Sequence, residues 1–347
     1  GKTKPKIKRQ ILLDLKNNKV DLVVGTHALI QDDVVFSKLG LAIIDEQHKF
    51  GVSQRAKLWA HRDVAPHVLV MTATPIPRTL AMTAYGDLDV SVIDELPPNR
   101  KEVVTIHKYD KEMSHVLKFL YTELEKRKQV YIVYPLIEES KVLDYKNLLA
   151  GYDYLKDIFH DKGFNISMVH GRLKKDDKEK EMTRFLNKET HIMVATTVIE
   201  VGVNVPNATI MVIQNAEKFG LSQLHQLRGR VGRGADKSYC FLMTSNKLTN
   251  DAKVRLKAMV DSSDGFNIAE IDLKLRGPGD ILGTRQSGLI NFKLASIVKD
   301  HKILTLARVA AGEILKQDFE LSASFNRPIK RYFEKYHFEL LKWGSVS

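Results

Sequence analysis

Short apolar runs alternate along this chain with longer segments whose apolar residues recur at helical spacing. In the first hundred residues, Leu41–Ile44 and residues 68–71 have the pattern of fully buried parallel strands, and residues 20–24 and 90–93 also predict strands. Residues 7–15 have the spacing of one helix face. This alternation predicts an α/β domain with a parallel sheet.

The same alternation resumes after a Pro-stiffened stretch at residues 95–100, which reads as a linker between domains. Strands are predicted over residues 130–134, 166–169, 191–195, 209–213 and 238–243. Helices are predicted over residues 113–127, 145–159, 174–186 and 221–228. The chain thus predicts two similar α/β domains in tandem.

Beyond residue 247 the pattern becomes helical, with helices predicted over residues 251–260, 268–275, 294–315 and 328–343. A glycine-rich stretch at residues 276–288 lies among these helices and is unsuited to a helix interior. We therefore predict three parts: residues 1–98, 99–246 and 247–347.

Charge and cysteine content narrow the partners and the compartment. Lys and Arg number 54 against 42 Asp and Glu, which gives a net charge of +12 and favours a polyanionic partner. Cys240 is the single cysteine of the sequence, so a cysteine-rich zinc site and an intramolecular disulfide are excluded. The sequence has no apolar run of membrane-spanning length and no signal-peptide pattern at its start, so we expect a cytoplasmic protein without a membrane partner.

Two adjacent carboxylates, Asp45 and Glu46, directly follow the apolar run Leu41–Ile44. Ligands of open α/β sheets bind at the carboxyl ends of strands. One carboxylate there can hold the water shell of Mg²⁺, and the next can orient an attacking water. The alternative is a solvated acidic turn.

Two arginines, Arg230 and Arg233, stand three residues apart among glycines. Glycines let a guanidinium group approach a phosphate closely, and such arginines stabilise a transferring phosphoryl group. The alternative is a basic loop that contacts solvent or nucleic acid.

Small hydroxyl residues follow three predicted strands. Thr26 and His27 follow the first, Thr72 and Thr74 lie near the acidic pair, and Thr196 ends a strand of the second domain. These side chains can hydrogen-bond phosphates or relay a nucleotide state, and the alternatives are simple turns and helix caps.

In order along the chain, 25–27, 45–48, 72–74, 196–202 and 226–233 resemble the motifs of superfamily 2 helicases. The runs 25–31, 45–52, 71–79, 198–207 and 223–234 resemble the bacterial RecG helicases more closely, and 276–288 resembles the translocation motif that RecG shares with transcription-repair coupling factor. One departure is Asn204, where the family often has Asp.

The resemblance implies two tandem RecA-like parallel-sheet lobes, the first incomplete, followed by a helical hairpin and C-terminal helices. It implies ATP and Mg²⁺ as cofactors, bound between the lobes. The catalytic residues it implies are Asp45, which also holds Mg²⁺ through water, Glu46, Arg230 and Arg233. Nucleotide binding or coupling is implied for His48, Gln226, Gly202, Thr72 and Thr74. DNA binding or translocation is implied for Thr26, His27, Thr196, Arg276, Arg285 and Gln286.

The implied activity is ATP-dependent remodelling of branched and double-stranded DNA, such as stalled forks and Holliday junctions, in a bacterial, nucleoid-associated monomer. A single-stranded DNA-binding protein is a further candidate partner. The Walker A loop and the wedge domain of the family are not found in these residues, so we expect the chain by itself to be inactive. The alternatives are a translocase like transcription-repair coupling factor and a non-catalytic DNA-binding module; a primosomal helicase would need zinc-binding cysteines.

Overall fold

The computed structural model describes residues 3–31, 33–46, 66–73, 89–93, 95, 97, 100–135, 141–196, 205–276 and 300–344, with the side chains of 141–144, 276, 301–302 and 336–344 left out. The chain divides into two compact units. The first unit consists of Gly1–Ala73, Arg78–Val90 and Gly277–Ser347. The second consists of Thr74–Pro77 and Ser91–Arg276.

The first unit contains a pair of parallel strands, β1 (Leu41–Ile44) and β2 (His67–Val70). Its helices are α1 (Pro5–Lys16), α8 (His301–Gln317) and α9 (Arg327–Gly344). Helix α1 begins with a proline, whose missing N–H is no loss in a first helical turn.

Some predictions about the first hundred residues are wrong. Residues 20–24 and 90–93 form no strand, because an apolar run becomes a strand only where a neighbouring strand pairs with it. Strands β1 and β2 form as predicted but are not fully buried, since Leu41 is 55% exposed, Ile43 59% and Leu69 49%. A parallel strand is fully buried only where other layers cover both faces of its sheet, and the described part of the first unit does not provide both.

The second unit contains a six-stranded sheet with the order β3-β8-β7-β4-β6-β5, and every pairing in it is parallel. Its strands are β3 (Val103–Tyr109), β4 (Gln129–Tyr134), β5 (Ile166–Val169), β6 (Ile192–Thr196), β7 (Ala208–Ile213) and β8 (Ser238–Thr244). The predicted α/β class, with parallel sheets in tandem, is confirmed.

Six helices of the described residues cover both faces of this sheet. They are α2 (Met113–Glu125), α3 (Lys141–Phe159), α4 (Lys175–Leu186), α5 (Leu221–Arg228), α6 (Asn250–Asp261) and α7 (Gly265–Arg276). Helices α2 and α3 build one buried cluster with the sheet. Helices α4 to α7 build a second cluster on the opposite face. Successive residues of a central strand such as β7 enter opposite clusters, so the sheet lies between two helical layers.

Helices α6 and α7 follow residue 246 in the chain and lie in the second unit. Helix α6 packs against β3, and α7 packs against α5 and α6. Helix α6 is capped at its N-terminus by Thr249, whose hydroxyl accepts a hydrogen bond from the Ala252 amide at 3.2 Å. The division of the chain at residues 98 and 246 stays a prediction. Within the described part of the chain, the structure has no helix long and apolar enough to cross a membrane.

Candidate nucleotide and nucleic-acid site

Asp45 and Glu46 lie directly after the end of β1, as the sequence predicts. The register pairs Ile44 with Val70, so Thr72 lies beyond the end of β2 at the same edge as the acids. The Glu46 amide donates to Asp45 Oδ1 at 2.9 Å. Glu46 has a φ of 54°, a conformation that costs a residue other than glycine about 1 kcal/mol or more. The turn thus holds two carboxylates and a threonine at one strand edge.

Thr26 and His27 lie at the start of a 3₁₀ helix, His27–Ile30. Thr26 is extended, and its carbonyl accepts from the Leu29 amide at 2.9 Å. A Cβ at Gly25 would meet the Leu29 side chain at 2.9 Å, so the glycine lets that side chain fold back over the turn. Thr26 and His27 are both exposed and available to a ligand.

Arg230 and Arg233 lie on a loop that follows α5 and precedes β8. Gly232 in this loop has a φ of +73°, and a Cβ there would meet Val103 Cγ2 at 2.7 Å. Any other residue would therefore be strained and would clash. Arg100 Nε donates to the Gly232 carbonyl at 3.1 Å, which fixes the loop against the start of β3.

The positive charges of this loop act on the pKa of Tyr131, a residue inside the sheet. Burial raises the pKa of Tyr131 on β4 to about 12, and the charges of Arg230 and Arg233 oppose that shift. Arg233 is exposed, and its Nε donates to the Gly229 carbonyl at 3.2 Å. Gln226 is half-buried on α5, one helical turn before Arg230. The arrangement can present guanidinium groups to an anion.

Arg228 lies within the motif at residues 226–233, but the sequence predicts no role for it. It is 5% exposed, and its guanidinium group donates to the carbonyls of Met259 at 3.0 Å, Ser262 at 2.7 Å and Ser263 at 3.2 Å. These carbonyls lie at the end of α6 and in the segment that leads to α7. Arg228 therefore ties the last turn of α5 to these two helices.

A sequence signal for this role was present. Leu221, Leu224 and Leu227 are buried on α5, and Arg228 shares their face because it lies four residues after Leu224. A long cationic side chain at a buried helical position indicates a set of partners, because a buried charge is costly without them.

His225 is a further contact of Arg228, beside the three carbonyls and the Thr105 hydroxyl at 3.4 Å. Its Nδ1 lies 3.1 Å from Arg228 Nη2 and must accept, because a guanidinium group only donates. Burial, and then the charge of Arg228, lowers the pKa of His225 to about 4. The ring is therefore neutral at pH 7, with its proton on Nε2.

The second sheet separates two groups of predicted site residues. Thr196 ends β6 at the carboxyl edge, where it is 1% exposed and its hydroxyl has no hydrogen-bond partner among the described residues. The loop that carries Arg230 and Arg233, called the arginine loop below, lies at the opposite edge. Its Gly232 approaches Val103 and Ser238 at the starts of β3 and β8. The structure does not bring Thr196 and the two arginines together.

Some predicted site residues lie outside the described residues: His48, Thr74, Gly202, Arg285 and Gln286. Arg276 ends α7, and its side chain is not described.

The turn formed by Asp45 and Glu46 after β1, called the acidic turn below, has a donor set that suits Mg²⁺. Among the described residues, no group of three or more His, Cys, Asp or Glu side chains could enclose a metal ion. Mg²⁺ usually keeps several waters and is held by one or two carboxylates together with substrate phosphates. The exposed carboxylate of Asp45 meets that requirement.

Three family models match successive parts of the chain. A DEAD/DEAH box helicase model matches residues 1–83, and a helicase conserved C-terminal domain model matches residues 111–235. The model for the C-terminal part of domain 3 of ATP-dependent DNA helicase RecG matches residues 262–347.

Curated relatives agree with these models. The ATP-dependent DNA helicase RecG of Synechocystis sp. is 56% identical over 331 residues, which covers 95% of this chain and 39% of that protein. RecG of Streptococcus pneumoniae is 52% identical over 314 residues, covering 90% of this chain and 46% of that protein. The chain belongs to the RecG family of helicases.

A solved structure of RecG bound to a three-way DNA junction is 46% identical to this chain, with a TM-score of 0.64. That match covers 87% of this chain and 38% of the solved RecG chain. The chain thus spans less than half the length of the RecG proteins it matches.

Proposed function

We propose that this chain is the helicase portion of an ATP-dependent DNA helicase that remodels branched DNA, including stalled replication forks and Holliday junctions. The observation that carries the proposal is the acidic pair Asp45-Glu46 at the carboxyl end of β1 in a RecG-family chain. The arginine loop of the second unit supports it, because phosphoryl transfer needs both carboxylates and cations. The RecG structure with a three-way DNA junction supports branched DNA as the substrate.

The acidic turn has two roles in this proposal. Mg²⁺, when bound, neutralises charge that develops on the nucleotide phosphates. Asp45 holds the hydrated ion through its exposed carboxylate, and Glu46 orients and deprotonates the attacking water. Thr72, which lies at the same edge, couples the nucleotide state to DNA together with His48 and Thr74.

The arginine loop acts on the transferring phosphate. Arg230 and Arg233 stabilise the charge of the transition state, and Gly232 and Arg100 keep the loop in place. Gln226 and Gly202 contact the nucleotide.

A third group of residues engages DNA and moves it. Thr26, His27 and Thr196 bind DNA, while Arg276, Arg285 and Gln286 translocate it. Replacing Arg285 or Gln286 by Ala in the complete protein should keep DNA-stimulated ATPase within a few fold and abolish most fork unwinding, because a moving element does no chemistry itself. A parallel loss of both activities would instead indicate that the glycine-rich stretch at residues 276–288 has only a structural role, as a clasp.

We place this protein in the bacterial cytoplasm, at the nucleoid, as a monomer with single-stranded DNA-binding protein as a partner. Two other functions are weighed against the proposal. A transcription-repair coupling translocase is disfavoured by the match to the RecG domain 3 model over residues 262–347. A non-catalytic DNA-binding module is disfavoured by the acids at the strand end.

The deciding experiment is an ATPase assay on the complete protein with and without forked DNA. We expect strong stimulation by forks and its loss in the Glu46→Gln variant. Asp33 is an acid of the same unit whose side chain is 55% exposed, and it supplies the control variant Asp33→Asn, which should keep full activity. DNA binding without ATP turnover in the wild-type protein would favour the non-catalytic module.

The 347 residues by themselves should not hydrolyse ATP, because their sequence contains no complete phosphate-binding loop. The check is steady-state phosphate release by the purified chain. Turnover above a protein-free blank that disappears in Glu46→Gln would contradict this expectation.

A further inference from the structure

The arginine loop carries one acid among its cations. It spans residues 229–237, between α5 and β8, and contains Arg230, Arg233 and Lys237 but a single carboxylate, Asp236. Asp236 is exposed and follows Arg233 by three residues, a length of chain that spans at most about 11 Å. A carboxylate free to move at this distance would compete with a phosphate group for the guanidinium group, because arginine binds both in the same fork geometry.

The structure gives Asp236 a different partner. Lys128 Nζ donates to Asp236 Oδ2 at 2.5 Å, and the Ser238 hydroxyl donates to the Asp236 carbonyl at 3.3 Å. The hydrogen bond and charge of Lys128, and then the charge of Lys101, hold the pKa of Asp236 below its ordinary value. The carboxylate is therefore ionised at neutral pH. In the described part of the chain it forms its ion pair with Lys128 and not with Arg233.

Lys128 stands on a rigid base. It is the last residue before β4, and its amide donates to the Glu123 carbonyl in α2 at 3.1 Å. The next residue, Gln129, is 1% exposed and donates from Nε2 to the carbonyls of Phe185 at 2.6 Å and Thr190 at 2.8 Å. The Lys128 side chain is only 23% exposed, so most of its stem is shielded from water. This lysine can therefore hold a carboxylate of the loop in one place.

The two arginines and Lys128 lie near the same part of β4. The charges of Arg230 and Arg233 act on Tyr131, which follows Lys128 by three residues. A Cβ at Gly234 would meet the Pro206 carbonyl oxygen at 3.3 Å, so the loop also passes close to the segment that leads to β7. Strand β7 pairs with both β4 and β8. Lys128 and Arg233 are thus both within reach of Asp236.

We propose that Lys128 is a positioning residue for phosphoryl transfer, which holds Asp236 so that this carboxylate does not pair with Arg233. The inference rests on the proposed function and extends it by naming what keeps the acid of the loop away from an arginine that acts on phosphate. Lys128 itself contacts neither the substrate nor the reacting atoms. An ion pair as exposed as this one adds little to the stability of a fold, so its loss should not unfold the second unit.

The test compares the ATPase kinetics of the complete protein, at saturating forked DNA, with those of Lys128→Met, Asp236→Asn and the double variant. Lys128→Met releases Asp236, so kcat should fall about fivefold at low salt, because an exposed Arg233–Asp236 pair must break before the arginine reaches the phosphate. Nucleotide affinity should change much less. Asp236→Asn removes the competing charge, so the single Asn variant and the double variant should both have the wild-type kcat.

Ionic strength gives a readout that a loss of packing would not change. Salt screens an exposed ion pair, so the defect of Lys128→Met relative to the wild type should shrink as salt is raised. Lys128→Arg keeps the cation and should keep the wild-type kcat. The matched control is Lys126, which pairs with Glu123 at 2.6 Å. Lys126→Met removes the same charge from a different ion pair and should match the wild type at every salt concentration.

Two results would overturn the inference. A double variant as slow as Lys128→Met would show that Lys128 only anchors the loop. A wild-type kcat in Lys128→Met would show that a released Asp236 does not engage Arg233.

The reaction of Arg233 with the arginine reagent phenylglyoxal, followed by mass spectrometry of peptides, tests the inference without ATP turnover. A paired carboxylate shields a guanidinium group, so the reaction should be slower in Lys128→Met and return to the wild-type rate in the double variant. If the wild-type protein shows no DNA-stimulated ATPase, the proposed function fails while these rates still decide the role of Lys128. If ATPase is present and the three proteins react at equal rates, the inference alone is wrong.

Discussion

The acidic turn of the first unit and the arginine loop of the second are supported very differently. Asp45 and Glu46 follow a strand whose residues Leu41 and Ile43 are more than half exposed. The arginine loop follows α5, a helix with one buried face, and is fixed by Arg100 and by the close approach of Gly232 to Val103. The position of the acids thus depends on a short strand and a strained turn, whereas the loop depends on a dense set of contacts.

This difference teaches where substitutions should act. In the second unit, exposed Arg233, which we propose carries chemistry, is distinct from buried Arg228, which ties α5 to α6 and α7, so the two residues can be changed separately. In the first unit, Glu46 both supplies a carboxylate and adopts the strained conformation. Substitutions in the second unit therefore separate function from stability more cleanly.

The largest expected effect is on catalysis. Arg233→Ala in the complete protein should lower kcat for ATP by about 10³ or more, because a charge aimed at the developing transition state is lost. Nucleotide affinity should change much less. Single-turnover ATPase and fluorescent-nucleotide binding measure the two quantities, and near-normal turnover would remove Arg233 from the catalytic residues.

Arg228→Met should instead destabilise the second unit. It leaves the carbonyls of Met259, Ser262 and Ser263 without their donor, at a cost of roughly 3 kcal/mol. Amide hydrogen exchange in β7 and β8 should then be about 100-fold faster. The control is Arg233→Met in the neighbouring loop, an exposed substitution that should change protection little. Equal protection in both variants would show that Arg228 does not hold α5 to α6 and α7.

The predictions from sequence were also more accurate in the second unit than in the first. In the second unit, the predictions for β5 and α5 agree with the structure at both ends, because strong periodicity and dense packing act together. In the first unit, the strand expected at residues 20–24 is absent, and Leu22 there is 81% exposed. Apolar character can be read from the chain, but the presence of a pairing partner cannot.

The candidate site shows a similar limit. The sequence placed Asp45 and Glu46 at a strand end and Arg230 and Arg233 on a glycine-shaped loop, as the structure has them. It could not show that Thr196 lies at the opposite sheet edge from the arginines, because that depends on strand order and helix direction.

We expect the stability of the second unit to depend moderately on pH, and this dependence tests the packing around Arg228. The folded-state pKa of His225 is about 4 and its ordinary value is 6.5, so the unfolded chain binds a proton in this interval that the folded chain does not. Stability is therefore complete above pH 6.5 and declines as the pH falls towards 4, by about 1–3 kcal/mol for this one group.

The measurement is the amide protection of the second unit, corrected for the intrinsic pH dependence of exchange, in the wild type and in His225→Gln. Burial also lowers the pKa of His107, His170 and His191, so the difference between the two proteins isolates His225. A glutamine carbonyl can still accept from Arg228, so the variant keeps that contact. Identical pH profiles would show that His225 is not buried as a neutral ring.

The smallest expected effect lies in the first unit, in the turn between α8 and α9. The carboxylate of Asp318 accepts from the Ser322 amide at 2.9 Å, the Ser322 hydroxyl at 3.1 Å, the Ala323 amide at 2.9 Å and Asn326 Nδ2 at 2.9 Å. The bond from Asn326, followed by those from the two amides, lowers the pKa of Asp318 to about 2. Its stabilising contribution is present above the ordinary pKa of 3.8 and is lost as the pH falls towards 2.

Asp318→Asn should therefore loosen this turn without unfolding either unit, because an amide oxygen is a weaker acceptor than a carboxylate. We expect exchange at the Ser322 and Ala323 amides to rise up to about tenfold at neutral pH, with the second unit unchanged. Glu320→Gln, a charge change in the same turn, should leave both amides as in the wild type, because among the described residues Glu320 is contacted through its backbone carbonyl, by Lys330, and not through its carboxylate. If Glu320→Gln has the same effect, then the net negative charge of the turn stabilises it, and the Asp318 hydrogen bonds do not.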